Sequence, residues 1–242
     1  MKTFYFIIFC CTTQFLFGQN LLLKEETKDL YQKKSKFGQN ERNYFHLYMA
    51  YGIPVGKMEG NGPKINYYKS SRFNLGIRYK LKLSNYISLG SDFNWNFAEY
   101  VFLEDETSIK TAPEYSIIKE KIKYNSLGTE LFFRINFGKR GNIVGNYIDL
   151  GAYYSYEIQS KYYFSEKPPK NTTSYKKIKT VYKSLSYLNP AEYGLLLRFG
   201  VQRYALFMAY RLTDNFKVPF RDSDEKYEMP RYEIGIQLGL HK

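Results

Sequence analysis

Cysteine is confined to Cys10 and Cys11, histidine to His46 and His241, and tryptophan to Trp95. If the first residues are removed on export, the chain keeps no thiol, which excludes disulfides, cysteine nucleophiles and thiolate metal sites together. Two imidazoles alone do not make a zinc site. No Gly-rich phosphate loop, metal-ligand spacing or internal repeat is present, so no cofactor is expected. Acid is scarce: 23 Asp and Glu stand against 36 Lys and Arg, for a net charge of +13. A mean hydropathy of −0.49 is too polar for a bundle of membrane-spanning helices, yet 19% of the residues are aromatic, 26 of them Tyr.

Strict alternation resolves that conflict. Phe73, Leu75, Ile77, Tyr79, Leu81 and Leu83 interleave with Arg72, Asn74, Gly76, Arg78, Lys80 and Lys82. The run is about twice as long as an ordinary soluble strand and matches the roughly 9 to 11 residues of a tilted transmembrane strand. Similar runs predict strands over 44–55, 86–100, 124–137, 147–159, 190–201, 204–212 and 231–240, eight with the one over 72–83. In a barrel only every second residue meets lipid, so high aromatic content and low hydropathy coexist. The connections alternate too: 84–85, 138–145 and 202–203 are short, whereas 56–70, 101–123, 160–189 and 213–230 are long. Short periplasmic turns and long extracellular loops give this asymmetry. The expected fold is all-β, an eight-stranded antiparallel up-and-down transmembrane β-barrel over residues 43–242.

Residues 1–19 read as a secretory signal peptide, with basic Lys2, an apolar core from Phe4 to Phe9 and Phe15-Leu16-Phe17 before the cleavage region at Gly18 and Gln19. Neither Cys10 nor Cys11 follows the small residue that a lipoprotein signal requires, so the signal is expected to be removed without lipidation. Residues 20–42, polar and rich in Lys and Glu, form a periplasmic N-terminal segment. A soluble barrel of lipocalin type would show the same alternation with its apolar face turned inward onto a ligand. Apolar faces continuous over five or six alternate positions, glycines beside charges on the polar faces, and aromatics near strand ends favour the membrane form.

Three stretches carry a family resemblance: Phe17-Gly18-Gln19, the run Met208-Ala209-Tyr210-Arg211-Leu212-Thr213-Asp214-Asn215, and the closing Tyr232-Glu233-Ile234-Gly235-Ile236-Gln237-Leu238-Gly239-Leu240. In these the chain resembles the PorT-like outer-membrane β-barrel proteins of Bacteroidota. The resemblance implies an outer-membrane location and, as an alternative role, an accessory of type IX secretion or gliding.

The inward face is expected to hold a network of mixed charges, Arg78, Asp92, Glu130, Arg134, Asp149, Glu192, Arg198 and Glu233, since side chains fill the lumen of so small a barrel. The loop over 160–189 holds Lys167, Lys170, Lys176, Lys177, Lys179 and Lys183 among tyrosines, a candidate site for an anionic ligand. Expected partners are outer-membrane lipid and lipopolysaccharide, with other envelope or secretion proteins; no nucleic acid is expected. Catalysis is not expected either, because neither histidine reaches the acidic pairs Glu104-Asp105 and Asp222 with Asp224 in the long loops. Trp95 reads as an interfacial belt residue. The expected role is that of a non-catalytic structural or interaction protein of the cell envelope.

Overall fold

A computed structural model describes residues 36–60, 63–103, 116–138, 141–168, 177–217 and 227–241. Residues 1–35, which include the expected signal peptide, lie outside the described residues, as do Lys170, Lys176 and the two acidic pairs. The described residues form nine strands: β1 (Asn43–Val55), β2 (Ser71–Lys82), β3 (Ile87–Val101), β4 (Ser116–Phe137), β5 (Asn146–Lys167), β6 (Ile178–Lys183), β7 (Ala191–Val201), β8 (Tyr204–Arg211) and β9 (Tyr232–Leu240). Eight of them close a ring in the order β1-β2-β3-β4-β5-β7-β8-β9, every neighbour antiparallel, with β1 returning to β9 from Leu47↔Leu240 to Val55↔Tyr232. The fold is the all-β barrel expected, and β6 stands outside the ring, paired with the far end of β5.

Period-2 patterning decides which face is which. Leu131, Ile236, Phe45 and Phe93 are 67%, 61%, 59% and 57% exposed on the outer wall, while Arg78 and Asp149 inside are both 0% exposed. A soluble fold cannot leave that much aliphatic and aromatic surface in water while burying guanidinium groups; a lipid-facing wall accounts for both. A soluble carrier of lipocalin type, which turns its apolar face onto an interior ligand and its polar face to water, would show the reverse distribution. Trp95 sits on the outer wall, stacked on Phe97 at 5.4 Å.

Two strands are longer than the alternation of apolar residues indicates. β4 and β5 each run for 22 residues and pair from Phe137↔Asn146 to Ser116↔Lys167, so parts of the predicted loops over 101–123 and 160–189 are strand. The ladder shifts register between Asn125 and Ser126, where a bulge bends the hairpin before it continues beyond the apolar wall. Above the bulge the outer face carries lysines instead of apolar residues. That hid β6 and the strand extensions from a reading based on apolar periodicity.

The described parts of the long connections pack together. Ile65, Phe102, Ile122, Tyr162, Leu185, Leu188, Phe216 and Met229, from strand extensions and loops, form a buried apolar cluster at the long-loop end. Burying each such side chain contributes roughly 1.5 to 3 kcal/mol, enough in sum to order the loops as a lid. At the short-turn end Tyr44, Val144, Tyr147 and Ala205 form a smaller cluster.

Candidate functional site

Three arginines meet around one aromatic ring in the lower half of the lumen. Phe132 breaks the polar pattern of β4 and points inward, 3% exposed, with the guanidinium carbons of Arg78, Arg134 and Arg198 at 5.1, 5.4 and 5.5 Å from its centroid. Gly90 lies opposite on β3, and a Cβ there would overlap the ring, so glycine at this position is a matter of space. Inward tyrosines continue the arrangement: Arg78 lies 4.5 Å from the Tyr48 centroid and Arg134 3.6 Å from that of Tyr147. Such cation–π contacts strengthen when desolvated.

Carboxylates neutralise the three cations one for one. Arg78 donates to both oxygens of Asp92, at 2.8 Å from Nε and 2.5 Å from Nη2, and also to Gln237 at 3.1 Å. Arg134 donates to Asp149 from Nε at 2.6 Å and from Nη2 at 2.8 Å. Arg198 donates to Asp149 at 3.0 Å and makes a short ion pair with Glu130. Backbone register explains the contacts: Arg134, Asp149 and Arg198 stand directly opposite one another on β4, β5 and β7, as do Arg78, Asp92 and Glu130 on β2, β3 and β4.

Glu192 and Glu233 do not join this cluster. They lie closer to the long loops and share Arg72, which donates to Glu192 at 2.7 and 2.9 Å and sits 3.2 Å from Glu233. Tyr153 donates its hydroxyl to Glu192 at 3.1 Å. Arg72 was missed by sequence reasoning because its partners belong to β7 and β9, remote in the chain. A second unforeseen pair, Arg211 with the fully buried Glu228 at 2.8 Å, ties β8 to the last long loop. Between the clusters lies a cavity of about 40 Å³ bordered by Tyr48, Arg72, Asn94 and Glu130, room for a few water molecules.

Lys80 and Lys82 point the other way. Lys80 donates to the Gln39 carbonyl at 2.5 Å and Lys82 to that of Asn40 at 3.0 Å, while Asn40 donates to the Gly141 carbonyl at 2.7 Å. Residues 36–42 are thus drawn against the short-turn end. His46 and His241 lie there too, with ring centroids 4.9 Å apart. Burial and the nearby cations Arg203 and Arg134 hold the His241 imidazole below its usual range.

Of the loop lysines, Lys167 ends β5, Lys177 precedes β6, and Lys179 and Lys183 lie on it; all four are exposed. They are spread along the β5–β6 hairpin, with Lys179 opposite Ser165 and Lys183 opposite Lys161.

No curated protein matches the chain. Among solved structures the chain is similar to Ail, the attachment invasion locus protein of Yersinia pestis, solved in complex with the heparin analogue sucrose octasulfate; identity is 12%, coverage 81% of this chain and 94% of that one, and the TM-score 0.28. The profile of the family described as outer membrane protein beta-barrel domain matches residues 37–221, most of the chain. With its lipid-facing wall and closed ring, the chain belongs to the outer membrane protein beta-barrel family.

Proposed function

We propose that the protein is a non-catalytic, non-conducting barrel of the outer membrane that acts through its exterior surface, with the long loops outside the cell and the short turns in the periplasm. The observation that carries this reading is the occupation of the lumen at successive levels. The short-turn end holds Tyr44, Tyr147 and the Lys80–Gln39 contact, the middle holds the arginine cage around Phe132, and the long-loop end holds the apolar lid. Charges paired in this way form a plug, because a conducting path would have to separate buried ion pairs. Single-channel recording in planar bilayers tests the proposal: no steady conductance is expected, and large, regular steps would overturn it.

The exterior role assigned to the lysines is contact with anionic envelope material, lipopolysaccharide first. The net charge of +13 supports it by raising the local concentration of anions. Lys167, Lys170, Lys176, Lys177, Lys179 and Lys183 are the loop residues concerned. Changing Lys176 and Lys177 to Glu is expected to weaken binding to purified lipopolysaccharide, and unaltered binding would remove the loop from the reading.

A further inference from the structure

The β4–β5 hairpin continues above the apolar wall and takes on β6 as a third strand, forming a small sheet whose outer face is basic. Its lowest row runs Lys123↔Lys161↔Lys183 across β4, β5 and β6, each lysine directly opposite the next. Above it come Lys121↔Tyr163↔Val181 and then Lys119↔Ser165↔Lys179. Glu99 on β3, the acidic neighbour of the face, pairs with Lys121 at 2.9 Å and Lys123 at 2.5 Å. Among the described residues Lys119, Lys161, Lys179 and Lys183 have no ion-pair partner.

Like charges directly opposite one another destabilise a sheet; Glu99, opposite Lys123 in the same row, offsets one of the three lysines and leaves Lys161 and Lys183 facing each other with no carboxylate partner among the described residues. Edge protection explains only part of it. Lysines do blunt exposed edges, which accounts for Lys179 and Lys183 on the edge strand β6 but not for Lys123 and Lys161, whose strands are interior, with β3 on one side and β6 on the other. The opposite face of the same sheet, Ile122, Tyr162 and Phe164, is buried in the lid, which fixes the lysines to the outside.

Position supplies the ligand class. Directly below the row comes the polar pair Asn125↔Gln159, and below that the outward Leu127, Tyr156 and Ile158, with Trp95 and Phe97 beside them on β3, belong to the exposed apolar wall. Lys123 lies four residues beyond Leu127, about 9 Å higher on a tilted strand, at the level where acyl chains give way to headgroups. We infer that the outer face of β4, β5 and β6, centred on Lys123, Lys161 and Lys183, is a binding site for the phosphorylated headgroup of a lipid whose acyl chains lie along the wall beneath. This deepens the exterior role proposed above and rests on its membrane placement; it extends the anion site from the loop lysines onto the sheet.

Trp95, the single tryptophan, stands beside the site and reports on the lipid next to it. The refolded full chain is placed in vesicles of phosphatidylcholine with brominated acyl chains, which quench Trp95, and an unlabelled lipid is added in small proportion. Bisphosphorylated lipid A is expected to relieve quenching about threefold more than its mole fraction predicts, as is an anionic lipid enriched at a lysine cluster. Dephosphorylated lipid A is expected to relieve it only in proportion. An excess with phosphatidylglycerol but not lipid A would support the site and assign it to a phospholipid. In the variant Lys123→Gln, Lys161→Gln, Lys183→Gln the excess should vanish, while quenching by the brominated host lipid persists and reports that the barrel is folded. Proportional relief by every lipid, or an excess that survives in the variant, would overturn the inference. An absence of quenching by the host lipid would overturn the membrane placement and the site with it.

Discussion

A carboxylate that serves two buried arginines is the most sensitive single position in the lumen. Asp149 receives both Arg134 and Arg198, and all three side chains are at most 2% exposed. Asp149→Asn leaves a net positive charge in a closed cavity and is expected to cost about 3 to 5 kcal/mol, read as a lower urea midpoint for the refolded barrel. Phe132 and Gly90 test a different force. Gly90→Ala places a methyl group where the Phe132 ring lies and should destabilise the fold, whereas the same change in a Phe132→Ala background should cost much less. Equal costs in the two backgrounds would mean that the ring does not occupy the space that glycine leaves. Inward tyrosines such as Tyr48 and Tyr147, each beneath an arginine, also give a physical reason for part of the unusual tyrosine content.

At the scale of elements, the ring depends on the ladder that joins the first strand to the last. Ala50 and Gln237 are directly opposite on β1 and β9, so cysteines at these two positions, with Cys10 and Cys11 replaced by Ser, should cross-link readily on oxidation. Cysteines at Ala50 and Gly239 are out of register and should cross-link poorly; the reverse result would place the seam elsewhere. The strands of the wall were legible in the sequence because lipid selects apolar residues at every second position, and the run from Phe73 to Leu81 shows that selection directly. Where the selecting environment changes, the signal disappears. β6 and the upper halves of β4 and β5 lie beyond the apolar wall, have Lys on one face and mixed Ile, Tyr and Glu on the other, and read as loop for that reason. The site was legible only in its membership: alternation assigns Arg78, Asp92 and Arg134 to the inner face, but which charges meet depends on the stagger between strands. That stagger sends Glu192 and Glu233 to Arg72 and away from the lower cluster.

The whole molecule turns polar groups inward and apolar groups outward, and its stability in detergent should follow. The closed ring is expected to resist sodium dodecyl sulfate until heated and to change gel mobility on boiling; an unchanged mobility would mean that the ring is not a stable unit. The positions of its ion pairs along the chain have a temporal consequence. Arg78 with Asp92, Arg134 with Asp149, and Asp149 with Arg198 join adjacent strands, so each can form while the sheet is still an open ribbon. Arg72 on β2 and Glu233 on β9 are near opposite ends of that ribbon and come within 3.2 Å only when β1 has found β9. Two successive stages of insertion therefore draw on two separate sets of charges, one that stiffens the ribbon in advance and one that fastens it shut. Arg72→Met should spare the first stage and prolong the second, so that the variant lingers as an unclosed intermediate before reaching the same final form.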